Sequence, residues 1–380
     1  MKSSADHCGR AISDPIVFSP GELERWSGGV WEHPPGAVHG VRHDSREPCR
    51  DMLYVALRGA NFDGHAFVSA AIASGAAAAM VNRDWRGPGI PLPLLRVRDT
   101  GKALRDLASG YRSAVHPFVL GITGSVGKTT VRARTSELFS GVAVTAATRG
   151  NFNNDIGLPL SLLDMPRNTQ TGVFEIGMNH PGELAQLCAL LRADAGIVTS
   201  IGPVHLEFFE SVAAIADEKA ELLRTLPQTG FAVLDADSPF FDFLRRQTSA
   251  RIVSVSLQRT DTDFFASSID AVGGRFSLTE KATGPAGSFS IGVPGRHQLL
   301  NALLAIAAAR SRDVPWETIR RRIRTAPGLA MRWETHAIAG ANLINDCYNA
   351  SPPAMAAALR TFAEIHPHRR RLLVLGEMRE

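Results

Sequence analysis

The sequence predicts an α/β protein in three units: a small N-terminal α/β domain, a central domain whose parallel sheet carries a phosphate loop, and the start of a third α/β domain. Gly121-Ile-Thr-Gly-Ser-Val-Gly-Lys-Thr-Thr130 lies between an apolar strand, Phe118 to Ile122, and a segment of helical periodicity, Lys128 to Phe139. Beyond His116-Pro117, strands and helices alternate in the pattern of a doubly wound parallel sheet. The 380 residues, 44% hydrophobic and 21% charged, form an ordinary globular chain with length for two or three cores. The expected boundaries are 1–113, 114–333 and 334–380.

A net charge of +4 is small for this length and argues against nucleic acid as a partner. The dense basic runs, Arg320-Arg-Arg322 with Arg324 and Arg369-Arg-Arg371, read as solvated faces. Cys8, Cys49, Cys188 and Cys347 lack the paired spacing of a zinc site and suggest reduced thiols. Met1 to Pro20 holds no continuous apolar segment, and the longest apolar run, Ala76 to Val81, is too short to span a bilayer. The expectation is a cytoplasmic protein.

In the first unit Asp51 to Leu57, Ala76 to Asn82 and Leu94 to Val97 read as strands, and His65 to Ser74 and Thr100 to Tyr111 as helices. Two loops stand out, Asp44-Ser-Arg46 and Asn61-Phe-Asp-Gly-His65. Their residue types serve turns and caps as readily as ligands.

The second unit opens on the phosphate loop. A glycine-rich turn between strand and helix aims backbone N–H groups at one point, where the helix dipole favours an anion. Lys128 supplies charge for the outer phosphates, Thr129 a hydroxyl for Mg²⁺, and Gly127 close backbone approach. Ile122 stands where the strict pattern has glycine, leaving Gly124-Ser-Val-Gly-Lys-Thr129. Val142 to Ala147 is the next strand, running into the polar loop Gly150-Asn-Phe-Asn-Asn-Asp-Ile-Gly157. Strands Thr171 to Ile176 and Gly196 to Ser200 follow, with Glu175 near the carboxyl end of the first and His205 in the loop after the second. Either residue alone can be structural; together at the carboxyl edge of such a sheet, beside a phosphate loop, they read as a Mg²⁺ site.

Ser211 to Leu226 reads as a helix with an apolar stripe of Val212, Ile215, Leu222 and Leu226, and Lys219 falls within that stripe. Lysine on a buried face is paired, modified, or snorkelling to water. Phe231 to Leu234 and Arg251 to Ser256 continue the sheet, and Gly274 to Val293 reads as a hairpin. Gly295-Arg-His-Gln-Leu-Leu-Asn301 opens a helix reaching Arg310, with His297 and Asn301 on one face, a spacing shared by ordinary helix-surface polar groups. Met331-Arg-Trp-Glu334 reads as a hinge into the third unit, where strands Ala341 to Asp346 and Arg371 to Leu375 flank a helix, Pro353 to Glu364. So few strands do not make a stable sheet alone.

The chain resembles the Mur ligases, the ATP-dependent amide-forming enzymes of peptidoglycan precursor synthesis. The resemblance rests on Asp44-Ser-Arg46, Phe62-Asp-Gly-His65, Thr123 to Thr130, Gly150-Asn-Phe-Asn-Asn154, Glu175-Ile-Gly-Met-Asn179 with Gly182-Glu183, and His205-Leu-Glu-Phe-Phe209. Lys219-Ala-Glu221, Gly295-Arg-His297 with Asn301, Met331-Arg332 and Asp346 to Pro352 complete it, in family order from about residue 40 to the end.

The resemblance implies a Rossmann-like third domain and a role for each stretch. Asp44, Ser45, Arg46, Asp63, His65, Asn151, Asn153 and Asn154 serve a UDP-N-acetylmuramoyl-peptide. Gly124, Ser125, Gly127, Lys128, Thr129, Thr130, His297, Asn301, Arg332 and Asp346 serve ATP. Lys128, Glu175, His205 and Lys219 are catalytic, and Thr129, Glu175, His205 and Lys219 face two Mg²⁺ sites. Lys219 matches the family lysine carbamylated by CO₂, which explains its place in the stripe: a carbamate is an anion that tolerates metal, whereas an ammonium does not.

The reaction implied activates a carboxylate as an acyl phosphate, which the amine of D-alanyl-D-alanine then attacks, in a monomer. Gln298, Cys347 and Ser351 depart from the family's usual residues, and the resemblance implies that most of the C-terminal domain lies beyond Glu380. Two other functions fit the same motifs: a paralogous ligase adding another amine, and a P-loop NTPase or regulator without ligase chemistry.

Overall fold

The computed structural model describes residues 14–59, 62–87, 93–338, 340–365 and 367–378. Cys8, Asn61 and most of the Met1 to Pro20 stretch lie outside these residues. The chain divides into two compact units. One comprises Met1–Phe118, Val144–Phe174 and Ala189–Leu191; the other comprises Val119–Ala143, Glu175–Cys188 and Arg192–Glu380.

In the first unit Val30–Trp31, Leu94–Val97, Ala78–Asn82, Leu53–Val55 and Val41–Arg42 form a sheet in that order, parallel except for its first pair. Tyr54, Val68, Ala71, Ala79 and Val81 pack one core against it. The helix Thr100–Val115 buries Leu104, Leu107, Ala108 and Tyr111. Asp99 caps its start by accepting the Lys102 N–H at 2.6 Å. It ends where His116 turns left-handed, φ 52°, ahead of Pro117. Helix Gly157–Leu163 packs on it, and Thr145–Ala147 pairs in parallel with Thr171–Glu175. The stretch His65 to Ser74 is a 3₁₀ turn, Gly64–Phe67, followed by the helix Val68–Ala73.

In the second unit Phe118–Thr123, Ala195–Val198, Phe231–Asp235, Arg251–Ser256 and Phe264–Asp270 lie side by side, all parallel. Arg275–Glu280 and Gly284–Ser290 extend the sheet antiparallel, because the turns joining them are too short for a crossover. The last of these is an edge strand. Pro285 sits on it, the register slips between Leu278 and Thr279, and Arg320 donates to its Ala286 carbonyl. Helices Lys128–Phe139 and Arg296–Arg310 pack together. Helix Trp316–Thr325 joins them, its Arg322 paired with Glu137 at 2.8 Å.

Glu334–Ile338 and Ala341–Asn345 form an antiparallel pair followed by helix Pro352–Glu364. The strand expected at Arg371 to Leu375 is not formed: 371–378 is irregular. Among the described residues no strand pairs with it, and apolar composition alone does not make a strand.

Candidate active site

In the second unit the chain leaves Thr123 and turns through Gly124 to Gly127 into the helix Lys128–Phe139. Gly124 has φ +148° and Gly127 φ +92°. A Cβ on Gly124 would lie 2.0 Å from Thr199 Oγ1, and one on Gly127 would lie 2.6 Å from Asn301 Oδ1. Both glycines are therefore demanded by backbone conformation and by space.

The loop is braced by the segment following Ala195–Val198. Ser125 N–H donates to Ser200 O at 2.8 Å, Val126 N–H to Ser200 Oγ at 3.0 Å, and Thr199 Oγ1 to Val126 O at 2.6 Å. Ser125 Oγ donates to Gly202 O and accepts the Gly202 N–H, each at 3.0 Å. The helical ladder starts with Val131 N–H on Gly127 O at 2.9 Å, so the first-turn amides lie outside it, at the loop. Lys128 Nζ folds back to Gly124 O at 2.8 Å. The result is a rigid concave turn with cationic charge at its rim, the form that binds polyphosphate.

Glu175 ends its strand 2% exposed, and the following Ile176 N–H donates to Ile122 O at 2.9 Å, which sets this carboxylate beside the phosphate-loop strand. Arg132, one helical turn beyond Thr129, brings its Nε to 3.9 Å from Glu175 Oε2. Three residues on, Met178 meets Lys219, with Nζ 3.4 Å from Sδ. Lys219 is 1% exposed, which answers the snorkelling alternative: the amine is buried, not reaching water. Burial, and then the positive charge of Lys128, hold its pKa well below the usual lysine value, against the opposing pull of Glu218. Both effects disfavour the ammonium form of Lys219.

Ser211 caps the helix Val212–Lys219 by accepting the Ala214 N–H at 3.1 Å. Ala220 separates it from Glu221–Arg224 yet keeps helical angles. Glu218 accepts N–H groups from Gly182 and Leu184, both at 2.9 Å, tying this helix to the loop beyond Glu175. His205 adopts a left-handed conformation, φ 53°, three residues beyond the Gly202 brace. Its carbonyl accepts the Phe208 N–H at 3.0 Å, and the Phe208 ring meets His180 at 4.2 Å between centroids.

Asn301 lies against Gly127, and His297, one turn earlier on that face, is pushed by burial to a pKa of about 4. Arg332 Nη2 donates to Thr129 Oγ1 at 3.2 Å, and its guanidinium covers the Tyr348 ring at 4.2 Å. Both neighbours of Arg332 are left-handed, Met331 at φ 56° and Trp333 at φ 53°. Asp346 Oδ1 accepts the Trp333 N–H at 3.1 Å, and burial raises its carboxyl pKa. Thr130 lies on the first turn of the phosphate-loop helix.

The first unit holds the other candidates. Asp44 and Arg46 pair at 2.7 Å, which lowers the Asp44 pKa to about 2; Ser45 sits between them. His65 is buried, its Nδ1 2.5 Å from Asp63 Oδ1 and its Nε2 accepting the Asn82 N–H at 3.0 Å, so both ring nitrogens are engaged within the unit. Asn154 caps helix Gly157–Leu163 through the Gly157 N–H at 2.8 Å, and Asn151 O accepts the Asn153 N–H at 2.8 Å. Arg149 pairs with Glu47 at 3.1 Å and covers Phe152 at 4.7 Å, joining this loop to the Asp44 loop. A cavity of about 260 Å³ nearby is lined by Arg58, Asn82, Thr100, Arg105 and Asp155.

Sequence reasoning did not single out Arg132, Thr199, Ser200 or Glu218. The spacing of Arg132 was a signal: four beyond Lys128, it falls on the same helix face. The bracing role of Thr199 and Ser200 has no local signature, because it depends on which strand lies next to the loop.

Residues 37–112, 122–309 and 331–380 match, respectively, the Mur ligase family catalytic domain, the Mur ligase middle domain, and the Mur ligase glutamate ligase domain. The chain is 36% identical over 348 residues to the UDP-N-acetylmuramoyl-tripeptide–D-alanyl-D-alanine ligase of Escherichia coli, spanning 90% of this chain and 75% of that protein. The Bacillus subtilis enzyme of the same name is 33% identical, over 90% and 74%. Among solved structures, MurF from Acinetobacter baumannii superimposes with a TM-score of 0.82 at 29% identity, over 91% of this chain and 76% of that one. The chain thus spans about three quarters of the length of these proteins.

Proposed function

The chain belongs to the Mur ligase family, and from that premise we propose how its residues carry the family's ATP-dependent ligation. The enzyme joins D-alanyl-D-alanine to a UDP-N-acetylmuramoyl-tripeptide in peptidoglycan precursor synthesis, releasing ADP and phosphate. The observation that carries the assignment of residues is the buried Lys219 amine in the same unit as a braced phosphate loop.

The carboxylate of the tripeptide attacks the γ-phosphorus of ATP in line; the bond to the β,γ-bridging oxygen breaks and ADP leaves. The first-turn amides and Lys128 hold the β- and γ-phosphates and offset the charge gathering on the transferred group. The amine of D-alanyl-D-alanine then adds to the acyl carbon, the C–O bond to phosphate breaks, and the nitrogen loses a proton as the amide forms. Asn301, against the loop glycine, and His297, one turn earlier on the same helix, favour the nucleotide end of the site, and a neutral His297 can donate or accept one hydrogen bond there. In the first unit Arg58 and Arg105 supply charge suited to the diphosphate of the UDP substrate, and Asp155, which follows the Asn151–Asn154 loop, lines the same cavity.

The residues fit a divalent cation. Glu175 is a buried carboxylate with a cation as neighbour, and Thr129 offers a hydroxyl. No cluster of three or more His, Cys, Asp or Glu able to cage a metal occurs among the described residues, which suits Mg²⁺ completed by phosphate and water. Glu175 and Thr129, with His205 and a carbamylated Lys219, would hold Mg²⁺, which supplies charge neutralisation at the phosphates. Lys219 fits carbamylation because a neutral amine is what adds to CO₂, and the product is an anion facing Lys128. Use of ATP and a UDP-linked substrate favours the cytoplasm. Among the described residues no helix is long and apolar enough to cross a membrane.

The test is phosphate release from ATP with the UDP-linked tripeptide, measured across a panel of amines. Release that requires D-alanyl-D-alanine and vanishes in Lys128→Ala is expected. Release indifferent to acceptor and amine would favour an NTPase instead.

A further inference from the structure

Two of the groups that this reading assigns to the metal, Thr129 and Glu175, stand beside arginines. Arg332 donates to the Thr129 hydroxyl at 3.2 Å, and Arg132 stands 3.9 Å from the Glu175 carboxylate. The Arg132 side chain is 13% exposed and that of Glu175 3%, so this charge pair operates in a poorly hydrated place where Coulomb attraction is strong. Arg132 is also within electrostatic reach of Arg332 and Tyr348. The two guanidiniums therefore lie together on the side of the phosphate-loop helix where a divalent cation would enter.

We infer that Arg132 is a resident counter-ion of Glu175, holding the metal-facing carboxylate in place until a divalent cation displaces it. The inference rests on the metal reading of Glu175 and adds to it a residue outside the ligand set. The pairing offsets part of the cost of burying the Glu175 charge, and the same pairing weakens metal binding. The guanidinium competes for the carboxylate, and its charge repels a second cation. Because guanidinium does not lose its proton at any working pH, only displacement frees the carboxylate. Once displaced, Arg132 remains on the first turns of the phosphate-loop helix, four residues from Lys128, where its charge turns toward phosphate oxygens.

The experiment is direct binding of Mn²⁺ alone, followed by the loss of its free-ion paramagnetic resonance signal at pH 8, to the whole chain and its variants. Mn²⁺ shares the oxygen preference of Mg²⁺. Arg132→Met and Arg132→Gln both remove the charge and are expected to bind Mn²⁺ about tenfold more tightly than the native chain. Arg132→Lys, which keeps a cation, is expected to stay within about twofold of native. Glu175→Gln is expected to weaken binding, alone and combined with Arg132→Gln. Unchanged or weaker binding by both neutral Arg132 variants, with Glu175→Gln still weakened, overturns the counter-ion inference alone. Unchanged binding by Glu175→Gln overturns the metal reading beneath it.

Discussion

At the scale of single residues the chemistry turns on groups whose charge state the fold has shifted. Lys219 sits where an ammonium is disfavoured by burial and by Lys128. Its replacement by alanine is expected to abolish ligation without restoration by bicarbonate, while ¹³C-bicarbonate should give a carbamate resonance in the native chain and none in Lys219→Ala; an active alanine variant would reject the assignment. His297 offers a second readout. Its pKa is lowered from 6.5 to about 4 by burial, so on acidification the unfolded chain takes the proton first. Stability present above pH 6.5 is then lost as pH falls toward 4, by about 2 kcal/mol after allowance for partial exposure. In His297→Gln, urea denaturation across that range should show a flatter dependence. These two residues were visible in the sequence for different reasons: Lys219 broke an apolar stripe, and His297 stood four from Asn301 in a motif. Arg132 offered only its spacing from Lys128, and the approach of Glu175 gives that spacing meaning.

At the scale of elements, caps and tight turns set where these residues stand. Ser211 holds the first turn of the helix that delivers Lys219. Ser211→Ala should cost about 1 kcal/mol of stability and lower ligation without altering the nucleotide KM, checked by denaturation and steady-state kinetics. Gly127→Ala should do the reverse. Its Cβ would collide with Asn301 in a left-handed backbone, so nucleotide binding should weaken more than tenfold, by calorimetry, with the helix still formed. The phosphate-loop helix, Lys128–Phe139, and the strand Arg251–Ser256 were legible to the residue, because glycines flank the helix and the β-branched Ile252, Val253 and Val255 mark the strand. Phe264–Asp270 was not, since only Phe264 and Ala266 are buried along it and a half-exposed strand carries little periodic signal. The helices Gly157–Leu163 and Glu183–Leu191 fall in stretches without a predicted element, where apolar residues surround the helix and no clear amphipathic stripe forms.

At the scale of the molecule, the proposed nucleotide site lies within the second unit. ATP with Mg²⁺ at a hundred times its dissociation constant should stabilise the chain by ~2.7 kcal/mol, read as a raised unfolding midpoint; Lys128→Ala at the same concentration should gain far less. An equal gain would place the nucleotide elsewhere. The fold class was readable because strand and helix alternation survives without knowing any contact. The antiparallel extension of the sheet was half-readable as a hairpin, and the run Leu372 to Leu375, strand-like by composition, shows that a strand exists only with a neighbour. The edge strand Gly284–Ser290 bears on crowding. Proline, a slipped register and an arginine clamped on a carbonyl leave another chain's backbone no even row of partners. The sheet is thereby kept from recruiting copies of itself into filaments.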